Sequence, residues 1–239
     1  RNPPQCAGYL VMENDFAGFG YPSRELAVKV LTSHEFMHAI QDAYLAEIPR
    51  FWSEGTATWA EERVFPEQGD YERFLRVFFQ SVDRPIDYEE PGNLGDSYPY
   101  ATAIWPTFLA ERFEPAIITT IFERLASAAA DGNPADVDIW RVTDRVLRDN
   151  DSSLDSAFAE FSLWNMLTGP RALSGDAEFG YQSAAEFPTA PVRSVEWHGS
   201  SDPPANFAAE QRHLASTQRK PDIGAHGGQT VEIQAFRRL

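Results

Sequence analysis

The sequence predicts an α+β chain that is mainly α, with a small N-terminal β element and an irregular or β-containing C-terminal tail. Most of residues 22–167 divides into apolar stretches with helical periodicity, and one short strand-like run precedes them. From residue 171 onward, Gly, Ser, Pro and Ala become frequent and the periodicity fades. We therefore expect one domain over residues 1–170, and a C-terminal extension or the start of a β-rich module over residues 171–239.

Composition narrows the classes of function. The chain has 239 residues, 43% of them hydrophobic, which is enough for a substantial core. Its net charge of −16 disfavours nucleic acid and favours neutral or basic substrates, and no apolar run is long enough to span a membrane. The single cysteine, Cys6, allows neither an internal disulfide nor a thiolate zinc site. Because the sequence begins at Arg1 without a signal peptide, we expect a piece of a longer protein.

The first two predicted elements are a strand and a long helix. Residues 8–12 are typical of a short strand, which could be an ordinary sheet strand or an edge that pairs with an extended substrate. Residues 22–45 predict a helix with Ser23 as its N-cap. Phe36 and Met37 lie in that helix, and we expect both in the core.

The central motif stands at residues 34–38, with the sequence H-E-F-M-H. Histidines four positions apart share one helix face, so His34 and His38 can reach a single ion at roughly 2.0–2.1 Å, which suits zinc. Glu35 projects about 100° round the helix, beside the ion, where a carboxylate can take a proton from water. The alternative is a surface helix whose polar residues face solvent.

A second helix predicted at residues 51–65, after Pro49, could pack antiparallel to the first. Glu54 could complete the His-His-Glu set of catalytic zinc sites, or could simply be an acidic residue placed favourably at a helix start. Thr58 and Glu61 lie near the same face. Either could orient a histidine through its second ring nitrogen, unless both positions are structural or solvated.

The segments H-E-F-M-H-A-I-Q at residues 34–41 and P-R-F-W-S-E-G-T-A-T-W-A-E-E at residues 49–62 carry a resemblance to a known group. They resemble gluzincin zinc metallopeptidases, especially the peptidase-MA-like branch and secreted metallopeptidases of myxobacterial type. The resemblance continues, in looser aromatic and glycine patterns, through roughly residues 9–191.

This resemblance implies a zincin-like fold, secretion, and hydrolysis of peptide bonds. It implies that His34, His38 and Glu54 hold Zn²⁺ and that Glu35 is the catalytic base. It also implies further strands upstream of this sequence. One departure is that only fifteen residues separate His38 from Glu54, fewer than in thermolysin-type enzymes, which fits the peptidase-MA-like branch better.

The middle of the chain supplies one more candidate. Residues 69–82 predict a third helix with an aromatic core stripe, and residues 84–96 predict a Pro- and Gly-rich loop that could rim a cleft. A helix over residues 98–113 follows. In gluzincins an acid often stabilises the oxyanion, and Tyr100 fits that role, with a buried structural tyrosine as the alternative.

Three helices, predicted at residues 115–130, 137–148 and 154–167, complete the body. The acidic residues at 149–155 lack the Gly and terminal Glu of an EF-hand loop, so we interpret them as helix caps. Strands are predicted at residues 192–197 and 231–236. The tail histidines have no metal-ligand spacing and are expected to be structural or exposed: His198, His213 and His226.

The function predicted from these residues is a zinc-dependent peptidase that acts on a peptide or protein, without a nucleic acid partner or a membrane span. Two other classes stay open. One is an inactive or incomplete homologue that binds peptides or proteins without cutting them. The other is a metal-free helical interaction module in which the motif is incidental.

Overall fold

The computed structural model describes residues 9–16, 20–66, 70–90, 92–93, 95–132, 137–173 and 179–191, together with the backbone of four short strands beyond them. Packing divides the chain into unit 1, Arg1–Phe78 with Asp87–Leu154, and unit 2, Phe79–Ile86 with Asp155–Leu239. The predicted limit of a catalytic domain at residue 170 stays a prediction. Cys6 and the three tail histidines lie outside the described residues.

The described part of the chain is mainly helical, as the sequence predicts. Its α-helices are α1 (Arg24–Tyr44), α2 (Arg50–Val64), α3 (Asp70–Gln80), α4 (Tyr98–Ala101), α5 (Ile104–Phe113), α6 (Ala116–Ala130), α7 (Ile139–Arg148) and α8 (Leu154–Met166). None of the helices among these residues is both long enough and apolar enough to cross a membrane. The zincin-like fold stays a prediction.

Helix α1 begins as its sequence predicts. Ser23 is extended, and its hydroxyl accepts a hydrogen bond from the backbone N–H of Leu26 at 3.1 Å. This bond satisfies one of the N–H groups that a helix start leaves without a partner. The helix ends at Tyr44, where Leu45 turns extended, so it stops before Pro49 rather than at it. Pro49 is instead the N-cap residue of α2.

Helices α1 and α2 form an antiparallel pair. Gln41, near the end of α1, contacts Ser53 near the start of α2, whereas His34, further back in α1, contacts Glu61 near the end of α2. The short connection of residues 45–49 is consistent with this hairpin. The antiparallel arrangement predicted from the sequence is confirmed.

Gly55 lets α2 pack closely against the segment that follows α4. A Cβ atom at this position would lie 2.6 Å from Thr102 Oγ1 and 3.3 Å from the Thr102 carbonyl carbon. The Thr102 hydroxyl in turn lies 2.6 Å from the carbonyl oxygens of both Phe51 and Pro99. The absent side chain of Gly55 therefore allows a hydroxyl to bridge the two elements.

The prediction of a single helix over residues 98–113 is wrong in one respect, because the structure has two helices there, α4 and α5. Pro106 cannot donate a backbone hydrogen bond to the carbonyl four residues earlier, that of Thr102. The Thr102 hydroxyl also lies 2.6 Å from the carbonyl oxygen of Phe51 in α2. The break therefore follows from a missing donor and from a contact with α2.

Aromatic side chains join α2 to the later helices of unit 1. The Phe51 ring stacks on Trp140 of α7 with ring centroids 5.0 Å apart, and Trp52 lies 5.9 Å from Phe122 of α6. Phe51 and Trp52 are almost fully buried. Burying a large apolar side chain contributes about 1.5–3 kcal/mol, so these contacts hold α2 firmly in place.

The strand predicted at residues 8–12 is wrong for the described residues 9–12, which belong to neither a helix nor a strand. Tyr9 and Val11 are 88% and 76% exposed. The strands that the structure describes lie in unit 2, so no described strand of unit 1 pairs with this segment. A single strand without a partner is not stable.

The expectation that Phe36 lies in the core is also wrong, whereas Met37 is buried as expected. Phe36 is 58% exposed and Ile40 is 37% exposed. Together with Val28 and Val64 they line an apolar groove between α1 and the end of α2. Phe36 lies about 200° round α1 from His34, so it points away from the histidine face.

Asp149, the first of the acidic residues at 149–155, lies at a helix end, as the sequence predicts. Asp149 is the C-cap residue of α7, and its carboxylate accepts from Arg124 at 3.1 Å. The first N–H of α8, that of Leu154, donates to Asp144 at 2.8 Å. The carboxylate that caps the start of α8 is therefore that of Asp144, on α7.

In unit 2, the Tyr181 hydroxyl donates to Asn165 Oδ1 of α8 at 2.7 Å, and the short strands follow. Strands β1 (Arg193–Glu196) and β3 (Arg219–Asp222) pair in parallel, and β2 (Ala215–Ser216) and β4 (Ala235–Phe236) pair antiparallel. The sequence predicts β1, and β4 lies at the end of the strand predicted over residues 231–236. It does not predict β3, because Pro221 is unfavourable within a strand.

Gly55→Ala should destabilise the fold by about 1–3 kcal/mol, because the added methyl group overlaps the Thr102 hydroxyl. In an uncrowded helix the same change would stabilise by up to about 1 kcal/mol. Chemical denaturation measures the effect. Gly95→Ala is the control, since a Cβ atom there would lie an ordinary 3.6 Å from Asn93 Oδ1. Equal or greater stability of Gly55→Ala would contradict the close approach.

Candidate metal centre

Three side chains from α1 and α2 converge at one point. His34 and His38 face α2, and Glu54 is the fifth residue of that helix. The Nε2 atoms of the two histidines lie 3.1 Å apart. Glu54 Oε2 lies 3.2 Å from the first of these atoms and 3.4 Å from the second. The two nitrogens and the oxygen therefore form a nearly equilateral triangle.

The triangle has the dimensions of one face of a metal coordination tetrahedron. Zinc binds His nitrogen and carboxylate oxygen at about 2.0–2.2 Å, so ligand atoms in a tetrahedral site lie about 3.3–3.6 Å apart. The observed separations of 3.1–3.4 Å are close to these values. His34, His38 and Glu54 are thus a group that could hold a metal ion, as the sequence predicts.

Gln41 orients the ring of His38. The Gln41 amide nitrogen donates to the Ser53 carbonyl at 2.9 Å and to the Thr56 hydroxyl at 2.8 Å. Its amide oxygen must therefore accept, and it lies 2.8 Å from His38 Nδ1. Since Nδ1 carries the proton, the lone pair of neutral His38 is on Nε2, the atom at the centre.

Glu61 orients the ring of His34 in the same way. The buried carboxylate of Glu61 accepts from His34 Nδ1 at 2.6 Å. Of the two residues considered from the sequence, Thr58 has no part in this, because its buried hydroxyl has no hydrogen-bond partner among the residues that the structure describes. A carboxylate on the far nitrogen of a histidine ligand fixes the ring and raises its basicity.

The protonation equilibria of the metal-free site follow from these contacts. Burial lowers the pKa of His34, but hydrogen bonds to Glu54 and Glu61 outweigh burial and raise it to about 9. Burial raises the pKa of Glu54, but hydrogen bonds from His34 and His38 outweigh it and lower the pKa to about 2. At neutral pH a metal ion must therefore displace a proton from His34.

Glu35 and Tyr100, the two candidate catalytic residues, are both near the centre. The Tyr100 ring stacks against His34 at 5.7 Å between centroids and against Phe74 at 5.2 Å. Burial and the charge of Glu54 raise the pKa of Tyr100, and the charge of Glu35 adds to the increase. Tyr100 is thus neither remote nor fully buried, and its catalytic role stays a prediction.

Two residues at the centre were not singled out from the sequence. Gln41 lies three positions after His38, on the same helix face, which is a signal that could have identified it. Arg50 lies four positions before Glu54, and its Nε is 3.7 Å from Glu54 Oε1. The spacing of four residues is a signal that could have identified Arg50, because opposite charges at positions i and i+4 of a helix lie on the same face.

Comparisons of this chain with protein-family models, with curated proteins and with solved structures found no match. The function proposed below therefore follows from the sequence motif and the geometry of the centre.

Glu61→Gln should weaken metal binding by about 10–100-fold, because the amide is a poorer acceptor for the His34 N–H than a carboxylate. Competition with a chromophoric chelator measures the dissociation constant. Glu123→Gln is the control, since Glu123 is an exposed residue of α6. Equal metal affinity of wild type and Glu61→Gln would show that Glu61 does not support His34.

Proposed function

We propose that the chain is a zinc-dependent peptidase of gluzincin type with a zincin-like catalytic domain. The observation that carries this proposal is the triangle of His34 Nε2, His38 Nε2 and Glu54 Oε2, with separations of 3.1–3.4 Å. Three protein ligands leave room for a water or substrate atom, which is the arrangement of catalytic rather than structural zinc sites.

The donor set supports zinc over harder cations. Two imidazoles and one carboxylate suit zinc, whereas Mg²⁺ and Ca²⁺ prefer oxygen ligands throughout. Both histidines are held with Nε2 towards the centre by partners on Nδ1, Glu61 for His34 and Gln41 for His38. This second layer of hydrogen bonds is what metal-binding histidines require.

The chain's own residues supply proton transfer and positioning. Zinc, when bound, supplies Lewis-acid chemistry by acidifying water and polarising a carbonyl oxygen. Glu35 accepts the proton of the attacking water and returns it to the amine that leaves when the C–N bond breaks. Tyr100 donates its phenolic proton in a hydrogen bond to the developing oxyanion.

The proposed substrate is a peptide or protein. This assignment rests on the H-E-x-x-H segment at residues 34–38 followed by Glu54. The net charge of −16 favours neutral or basic peptides by long-range attraction. Secretion, which the resemblance implies, stays a prediction.

Wild-type protein purified without added metal should contain about one zinc ion per chain, and Glu54→Ala should lose most of it because one of three ligands is gone. Elemental analysis measures both. Glu123→Ala, an exposed change on α6, should keep its zinc. Zinc that persists in Glu54→Ala would place the third ligand elsewhere, and a wild type that takes up no zinc would refute the proposal.

Glu35→Gln should keep zinc but lose peptide hydrolysis by about 100-fold or more, because an amide cannot accept the proton from water. Cleavage of a quenched fluorescent peptide library, with zinc content measured in parallel, tests this. Glu25→Gln on the exposed start of α1 is the control. If Glu35→Gln cleaves as fast as wild type, Glu35 is not the base. If wild type holds zinc but cleaves nothing, the chain is a non-catalytic binding homologue.

A further inference from the structure

The two oxygens of Glu54 face different partners. Oε2 lies 3.2 and 3.4 Å from the histidine Nε2 atoms, and Oε1 lies 3.7 Å from Nε of Arg50. The Glu54 side chain is only 16% exposed, so neighbouring groups rather than water surround most of it. One oxygen is directed to the centre and the other is held away from it.

Arg50 is itself held by several contacts. Its guanidinium donates to the Asp96 carbonyl at 3.5 Å and lies 5.8 Å from the centroid of the Tyr100 ring. Its backbone N–H donates to Glu89 Oε1 at 2.9 Å. Arg50 therefore contacts the metal-ligand candidate, the tyrosine beside it, and both Glu89 and Asp96 of the loop that precedes α4.

Helix propensity does not explain an arginine at this position. Arg50 is the first residue of α2, where a positive charge opposes the helix dipole at a cost of about 0.3–1 kcal/mol. No acidic residue lies in that first turn to offset the charge. The Arg50 side chain, which is 24% exposed to solvent, instead reaches Glu54, one turn further along the helix.

We propose that Arg50 is a positioning residue that holds Glu54 as a one-oxygen ligand of the metal. The inference rests on the proposed metal site. With Oε1 paired to Arg50, Glu54 offers only Oε2 to the ion, which leaves the remaining position for water or a substrate oxygen. Without that pairing, the carboxylate can turn and bind through both oxygens.

The planar shape of the Arg50 guanidinium contributes to this positioning, in addition to its positive charge. A guanidinium presents several donors in one plane, so it can pair with Glu54 and reach the Asp96 carbonyl while its Cζ lies over the Tyr100 ring. A lysine ammonium is a point charge without that plane. Arg50→Lys should therefore retain part of the effect of Arg50 on metal binding, whereas Arg50→Met should abolish it.

The test uses cobalt(II) as a spectroscopic probe in the full chain. Four-coordinate cobalt absorbs visible light much more strongly than five- or six-coordinate cobalt. Arg50→Met should weaken this absorption and change the cobalt dissociation constant by about 10-fold, with Arg50→Lys intermediate. Arg124→Met, which removes an exposed arginine of α6, should match wild type in both readouts.

The outcomes separate this inference from the proposed function. If wild type binds cobalt and Arg50→Met has the same spectrum and affinity, Glu54 does not depend on Arg50 and the inference is overturned. If Arg50→Met fails to fold, Arg50→Lys decides: a spectrum and affinity equal to wild type again overturn it. If wild type binds neither cobalt nor zinc, the proposed function fails first, and the positioning role fails with it.

Discussion

The close antiparallel packing of α1 on α2 is the constraint on which the rest of the centre depends. Gln41 shows why, since its amide bonds the Ser53 carbonyl and the Thr56 hydroxyl of α2 while its oxygen accepts from His38. The same side chain therefore joins the helices and sets the ring orientation of a metal-ligand candidate. Gly55 permits a similarly close approach on the other side of α2. Because both helices are rigid, their separation determines the ligand distances.

Two carboxylates of the centre are partly or fully buried, and their negative charge favours the binding of protons or a cation there. Glu54 and Glu61 have 16% and 6% of their side chains exposed, and a buried carboxylate is costly unless it is paired. Protons on the histidines provide the pairing in metal-free protein, which is why the pKa of His34 rises to about 9. A divalent cation can replace those protons. Protons and a metal ion therefore compete for the same histidine nitrogens.

Particular residues show how far the sequence could predict the site. His34 and His38 must share a face because they are four apart on a helix, whatever the helix packs against. Glu54 was predicted from its place in the next helix. The choice between Thr58 and Glu61, however, depends on which side chain actually reaches His34, and the structure brings Glu61 there. Phe36 was misassigned because periodicity identifies an apolar residue without showing whether anything covers it.

The sequence by itself determined the helical character of the chain, the N-cap at Ser23 and the spacing of the two histidines, because these follow from interactions within a few residues. Tertiary structure alone decided the choice of Glu61 over Thr58 as the partner of His34, the lack of a strand at the described residues 9–12, and the exposure of Phe36. Each of these depends on groups that are distant along the chain or on the exact direction of a side chain. Such contacts form only when the helices pack, so no local pattern in the sequence contains them.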